Sequence, residues 1–287
     1  MQIGVRFHDT EKLPFEERVK NIRKQGFSCT HIALSKVEDL PDGTDTLTPG
    51  YASYLKKTFA ESDVDVAILG CYLNLAHPDP VKLHEIQERY RAHLRFASWM
   101  GAAIVGTETG APNAAYAYDK EACHSEEALE TFITNLRPVV ADAEKTGVIF
   151  AIEPVYKHIV WNPKRARRVL DEIGSPNLQI IFDPVNLLHP DNLDHADEVV
   201  EEAMDLLKKD IAILHLKDYV LVPDEKEGVK MDCVACGLGE MKFDKIIRFV
   251  TKEKPFIYTT LENTKPDNAV GARQFLQSIE EHCKAEQ

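Results

Sequence analysis

The sequence predicts one (β/α)8 barrel spanning residues 1–287, and three observations carry that prediction. Eight short apolar runs recur along the chain, separated by stretches with apolar residues at three- and four-residue steps. Several of the runs are apolar on both faces, as parallel strands covered by helices must be. The 287 residues show no Gly/Ser linker, charge block or second zone of composition, which suits a single barrel. A doubly wound open sheet is the competing arrangement, but no G-x-G-x-x-G follows the first run, and Gly237-Leu238-Gly239 is too short a signal for a dinucleotide site.

The first strand is read at 2–7 (QIGVRF) and the second at 29–34 (CTHIAL), with Gly26 ending the helix between them. Thr48-Pro49 opens the next helix as an N-cap followed by proline in the first turn. The third strand occupies 64–72 (VDVAILGCY), and Asp79-Pro80 starts the helix that runs to Gly101. The fourth strand, 103–107 (AIVGT), leads into a long loop, GAPNAAYAYDKEACHS, that carries Tyr116 and Tyr118. Ser125 caps the amphipathic segment EEALETFITNLRPVVADAEK, with Glu126 and Glu127 at its positive end and Gly147 closing it. The fifth strand is 148–153 (VIFAIE); Asn162-Pro163 caps its helix, and the sixth strand is 178–183 (LQIIFD). The seventh and eighth are 211–216 (IAILHL) and 256–262 (FIYTTLE), before a helix and a solvated KAEQ tail.

Composition narrows the function. An apolar fraction of 44% provides a core, while no run of roughly 18 apolar residues marks a membrane span. The start, MQIGVRFHDTEK, lacks a long apolar leader, so a cytoplasmic protein is expected. A net charge of −13 opposes binding to a phosphate backbone, so no nucleic-acid partner is expected. The six cysteines are scattered and read as reduced; the CVAC at 233–236 lacks the second pair that a structural zinc would need.

The barrel reading places the chemistry at the C-terminal strand ends. There the segment IFDPVNLLHP poses a question: a run built for a dry core stops on Asp183, and an unpaired carboxylate in such a place is costly. The fifth strand ends on Glu153, the seventh carries His215, and the eighth finishes on Glu262. Any one of these is ordinarily a turn acceptor or a rim histidine. Four consecutive strands ending this way point instead to a divalent ion, because three carboxylates packed without a cation repel one another. An O3N set suits Mn2+, the ion expected, with Co2+, Mg2+ and Zn2+ left open. Lys217 shares a side with His215, and Arg6 and His8 share a face of the first strand. With Asn74, His77 and Glu108 these are candidate substrate contacts, and Tyr116 and Tyr118 could cover the mouth.

AIEPV, FDPVN, HLKD and TLEN resemble the fifth-to-eighth strand motifs of the xylose isomerase-like barrels, which include sugar isomerases, ketose 3-epimerases, inosose dehydratases and endonuclease IV. The resemblance implies that Glu153, Asp183, His215 and Glu262 bind one divalent metal and that Glu153 and Glu262 act as acid and base. Where the ketose 3-epimerases have a histidine three residues beyond the metal aspartate, this chain has Asn186, taken as a further substrate contact. It has Lys217-Asp218-Tyr219 where those proteins have an arginine. The implied function is a metal-dependent isomerase or epimerase of a small sugar or keto-sugar, working through an enediolate. A lyase that eliminates a β-substituent from a keto-sugar or keto-inositol is the alternative. GCYLNLAHPD resembles endonuclease IV, but KMDCVACGLGE lacks its further histidine, so a phosphodiesterase ranks below both. A metal-binding regulatory protein ranks lower again, and a homo-oligomer is left open.

Overall fold

A computed structural model describes residues 1–225 and 228–286. Eight parallel strands close into a barrel: β1 (Gln2–Arg6), β2 (Cys29–Ile32), β3 (Asp65–Gly70), β4 (Ile104–Glu108), β5 (Ile149–Glu153), β6 (Leu178–Phe182), β7 (Ile211–Leu216) and β10 (Tyr258–Leu261). The eight runs read from the sequence are these eight strands. Around them pack α1 (Phe15–Lys24), α2 (Pro49–Glu61), α3 (Pro80–Met100), the short α4 (Lys120–Cys123), α5 (Glu126–Thr146), α6 (Pro163–Ile173), α7 (Ala196–Leu207), α8 (Asp244–Glu253) and α9 (Ala269–Ala285).

The helix boundaries follow from local chemistry. Thr48, Asp79, Ser125 and Asn162 each accept a backbone N–H of the first helical turn with their side chains. At the other ends Gly101 and Gly147 take the left-handed conformation, with φ of 80° and 68°.

Two apolar layers hold the barrel. Inside it, Ala67, Ile68, Ile104, Ala151, Ile181 and Ile213 interlock. Between strands and helices lies the larger cluster, built on side chains such as Phe59, Tyr90, Phe96, Phe132, Phe150 and Phe243. Because small and branched residues plug the interior, the polar strand ends can converge only at the C-terminal mouth.

One element departs from the sequence reading. After β7, in a segment to which the sequence reading assigned no strand, β8 (Asp218–Asp224) and β9 (Gly228–Val234) form an antiparallel hairpin beside the mouth. Asp218, fully buried, fixes its base by accepting four backbone N–H groups, from Tyr219 (2.8 Å), Gly237 (3.0 Å), Gly239 (3.0 Å) and Met241 (2.8 Å). A Cβ at position 239 would lie 2.1 Å from the Tyr219 carbonyl and 2.5 Å from the Asp218 carboxylate, so only glycine fits there. The Gly-Leu-Gly stretch thus serves this clamp.

Candidate metal centre at the barrel mouth

β5, β6, β7 and β10 are neighbours in the barrel and bring Glu153, Asp183, His215 and Glu262 together. All four are buried, and their candidate ligand atoms lie within 4.8 Å of one another. His215 Nδ1 is 3.2 Å from Glu153 Oε1 and 3.3 Å from Glu262 Oε1. The β6 end shows why the strand stops on a carboxylate. Asp183 Oδ1 accepts the backbone N–H groups of Val185 (2.9 Å) and Asn186 (3.1 Å), capping the turn that Pro184 forces. Its other oxygen accepts from Lys217 Nζ at 2.7 Å.

The seven candidate substrate contacts separate by position. Lys217 is buried and also donates to Glu262 Oε2 at 3.0 Å, so it bridges two carboxylates of the cluster; Asp218, its sequence neighbour, is committed to the hairpin clamp. Asn186 donates its amide to Glu153 Oε1 at 2.8 Å. Arg6 reaches Glu262 at 3.3 Å and bonds Asp9 through Nε at 2.9 Å. His8 faces Asp9 at 4.0 Å and leaves a buried Nδ1 without a partner. Glu108 pairs in register with Glu153 on the neighbouring strand, so both point into the mouth; Tyr116 donates to it at 3.3 Å. Asn74 stands apart. It spends its amide on the carbonyls of Ala111 and Asn113 and its oxygen on the N–H groups of Ala76 and Ala111, tying two loops together. His77 accepts the Asp79 N–H outside the cluster.

The electrostatics are those of a site short of positive charge. Burial would discharge His215, but Glu153 and Glu262 outweigh it and raise the imidazole to about 9. Burial raises Asp183 to about 6 despite Lys217. Burial also works against ionising Glu262, yet Lys217, His215 and Arg6 together hold it well below the usual carboxylate range. Glu108 is raised by burial and by the charge of Glu262. Burial, aided by Arg6, pushes His8 down to about 4.

The residues fit a divalent ion. Three carboxylates and an imidazole nitrogen converge at a buried point, and the only groups neutralising them there among the described residues are Lys217, Arg6 and the proton on His215. A cation replacing that proton would take all four ligands without rearranging a strand. Cys233 and Cys236 join no cluster of three or more ligands among the described residues.

Sequence reasoning missed three neighbours of the site. His31 on β2 stacks on His215, with centroids 5.2 Å apart and planes at 9°, and meets the Tyr72 hydroxyl at 3.0 Å. Gly70 makes room for that pair, since a Cβ there would lie 2.8 Å from His31 Nε2. His158 packs against Tyr116 at 5.4 Å and lies 3.8 Å from Glu108. For His31 the one available signal was its register with Arg6, which needs the strand pairing to be known.

The fold has counterparts. The profile of the xylose isomerase-like TIM barrel matches residues 19–279. The chain belongs to the xylose isomerase-like TIM barrel family. No curated protein matches it in sequence. Among solved structures it is similar to a D-tagatose 3-epimerase-like protein, with TM-score 0.76, 19% identity and coverage of 100% of this chain and 99% of that one. A 3-keto-D-glucoside 4-epimerase from E. coli gives 0.73 at 15% identity, covering 97% and 99%. A family member from Mycobacterium smegmatis, solved in complex with magnesium, gives 0.72 at 13% identity, covering 98% and 97%. At these identities the likeness is one of fold. No helix among the described residues is long and apolar enough to cross a membrane.

Proposed function

We propose that the chain is a divalent-metal-dependent isomerase or epimerase of a small sugar or keto-sugar. The observation that carries this is the convergence of Glu153, Asp183, His215 and Glu262 on one buried point, with Lys217 and Arg6 beside it. The epimerase neighbours and the magnesium-bound family member support it. When bound, the ion polarises a substrate carbonyl as a Lewis acid. Mn2+ is the ion we expect.

The chain's own residues supply the rest. Glu153 and Glu262 stand on β5 and β10, with β6 and β7 between them, so they meet a central substrate from separated directions. One takes the proton from the carbon next to the carbonyl, and the other returns a proton to a different face or carbon. Lys217, held between Asp183 and Glu262, is placed to neutralise negative charge developing on a substrate oxygen. Asn186 fixes the Glu153 carboxylate, and Lys217, with His215 and Arg6, keeps Glu262 ionised. Burial of the cluster excludes water from the proton transfers.

The test is solvent exchange. Mn2+-loaded protein incubated with a panel of keto-sugars in D2O should incorporate deuterium next to a carbonyl in at least one of them. Glu153→Gln and Glu262→Gln, with metal retained, should each cost roughly a hundredfold or more in turnover. In a two-base epimerase, each variant should still exchange the proton of one epimer. Loss of mass with an absorbing enone would make the protein a lyase acting through the same first step. A metal-loaded double variant that turns over normally would assign both glutamates as ligands only.

A further inference from the structure

We propose that the substrate carries a ring-sized apolar substituent, an aryl aglycone on the sugar, held in a cavity beside the metal centre. This deepens the reading above and rests on it for the position of the sugar. The cavity, about 190 Å3, lies between the loops after β5 and β6 and the β8–β9 hairpin. Val155, Val185, Leu188 and Met231 line it with hydrocarbon. Asn186 lines it too, and the same amide bonds Glu153 at 2.8 Å, so the cavity begins one side chain from a metal ligand.

Its size and chemistry select the occupant. A cavity of about 150 Å3 holds benzene, so one of about 190 Å3 has room for an aromatic ring with a small substituent against Val155, Val185, Leu188 and Met231. The wall is preformed: Tyr156, buried, stacks on His189 at 4.4 Å with the planes at 6°, and its hydroxyl donates to Asp191 at 3.0 Å. Rigid walls reduce the ordering cost of binding. No carboxylate lines the cavity among the described residues; its charged residues are Lys157 and Lys230, which suit an electron-rich or acidic ring and disfavour a cationic one.

Cys233 gives a readout that needs no turnover. It lines the cavity and is the one exposed cysteine among the described residues, the other five being buried. With Mn2+-loaded protein, 4-nitrophenyl β-D-glucoside at about four times its Kd should slow iodoacetamide labelling of Cys233 about fivefold. Methyl β-D-glucoside at the same concentration should leave the rate unchanged. Met231→Trp, on the half-exposed hairpin, places an indole in the cavity. It should weaken calorimetric affinity for the nitrophenyl glucoside about tenfold or more, leaving Mn2+ affinity intact. Equal protection by the two glucosides, or unchanged aryl affinity in Met231→Trp, would overturn the assignment. Discrimination between the glucosides in a protein that binds no Mn2+ would uphold the cavity and sink the metal reading. Tight Mn2+ binding with no discrimination would do the reverse.

Discussion

Protons and metal should compete for His215, and the structure sets the scale of the contest. Nδ1 faces Glu153 and Glu262 at 3.2 and 3.3 Å, and these carboxylates overcome burial to raise the imidazole to about 9 in the metal-free protein. A divalent ion needs the lone pair that this proton occupies. Two pH units below 9, about one molecule in a hundred has it free, so affinity at pH 7 should lie roughly a hundredfold, about 2.7 kcal/mol, below its plateau. The sign is fixed: raising pH removes the competitor, and log affinity should climb about one unit per pH unit from 7 to 9. Near pH 6 and below, protonation of Asp183, itself raised to about 6, should steepen the slope. The assay is a Mn2+ titration of chelator-stripped protein, followed by electron paramagnetic resonance across this range. Calorimetry in Hepes and in Tris should count about one proton released per ion at pH 7. Affinity that stays flat between pH 7 and 9, with no proton released, would refute the argument that the carboxylates hold a charged imidazole at the centre.

Four further outcomes are expected. Asp183→Ala and His215→Ala should each strip most bound metal from the purified protein, as measured by atomic emission; full occupancy in both would remove the metal centre. Lys217→Met should cost the metal-free protein about 3–5 kcal/mol in urea unfolding, because it leaves Asp183 and Glu262 buried against each other. The same change should raise Mn2+ affinity by removing a competing cation. His93, buried on α3, donates from Nδ1 to the Arg89 carbonyl at 2.9 Å and is pushed down to about 4 by burial. It stays neutral in the fold, so stability should be full above pH 6.5 and fall by up to about 3 kcal/mol as pH drops to 4, a loss that His93→Gln should diminish. Duplex DNA at physiological salt should show no shift in a gel, given the −13 charge; a tight, salt-dependent complex would contradict it.

What could be read from the sequence follows from which signals are local. Strand and helix boundaries are written in neighbouring residues: two-sided apolar runs, the caps at Thr48, Asp79, Ser125 and Asn162, and glycine at helix ends. The metal-site candidates were legible because topology alone places strand ends in one mouth, whatever the side chains touch. Contacts that depend on register or on loop packing were not. His31 sits inside the apolar run of β2, where a histidine looks like core, and only its pairing opposite Arg6 brings it to the mouth. The hairpin hides because Pro223 and the charges at Asp224, Lys230 and Asp232 read as loop, although its odd-numbered positions, Tyr219, Leu221, Pro223, Val229, Met231 and Cys233, form one apolar side.

Asn74 and Asn186 show the same limit from the other direction. Both follow strands and both could touch a substrate, yet Asn74 satisfies loop backbone while Asn186 turns back onto Glu153. The difference lies in what each amide finds within 3 Å. That contact gives Asn186 a consequence Asn74 lacks. An amide N–H donated to Glu153 Oε1 fixes the direction from which that carboxylate meets a proton. Asn186→Ala should therefore slow exchange initiated by Glu153 more than exchange initiated by Glu262, whereas Asn74→Ala should lower stability and leave the ratio of the two unchanged. If both asparagines moved that ratio alike, the positioning of Glu153 by Asn186 would not be what separates them.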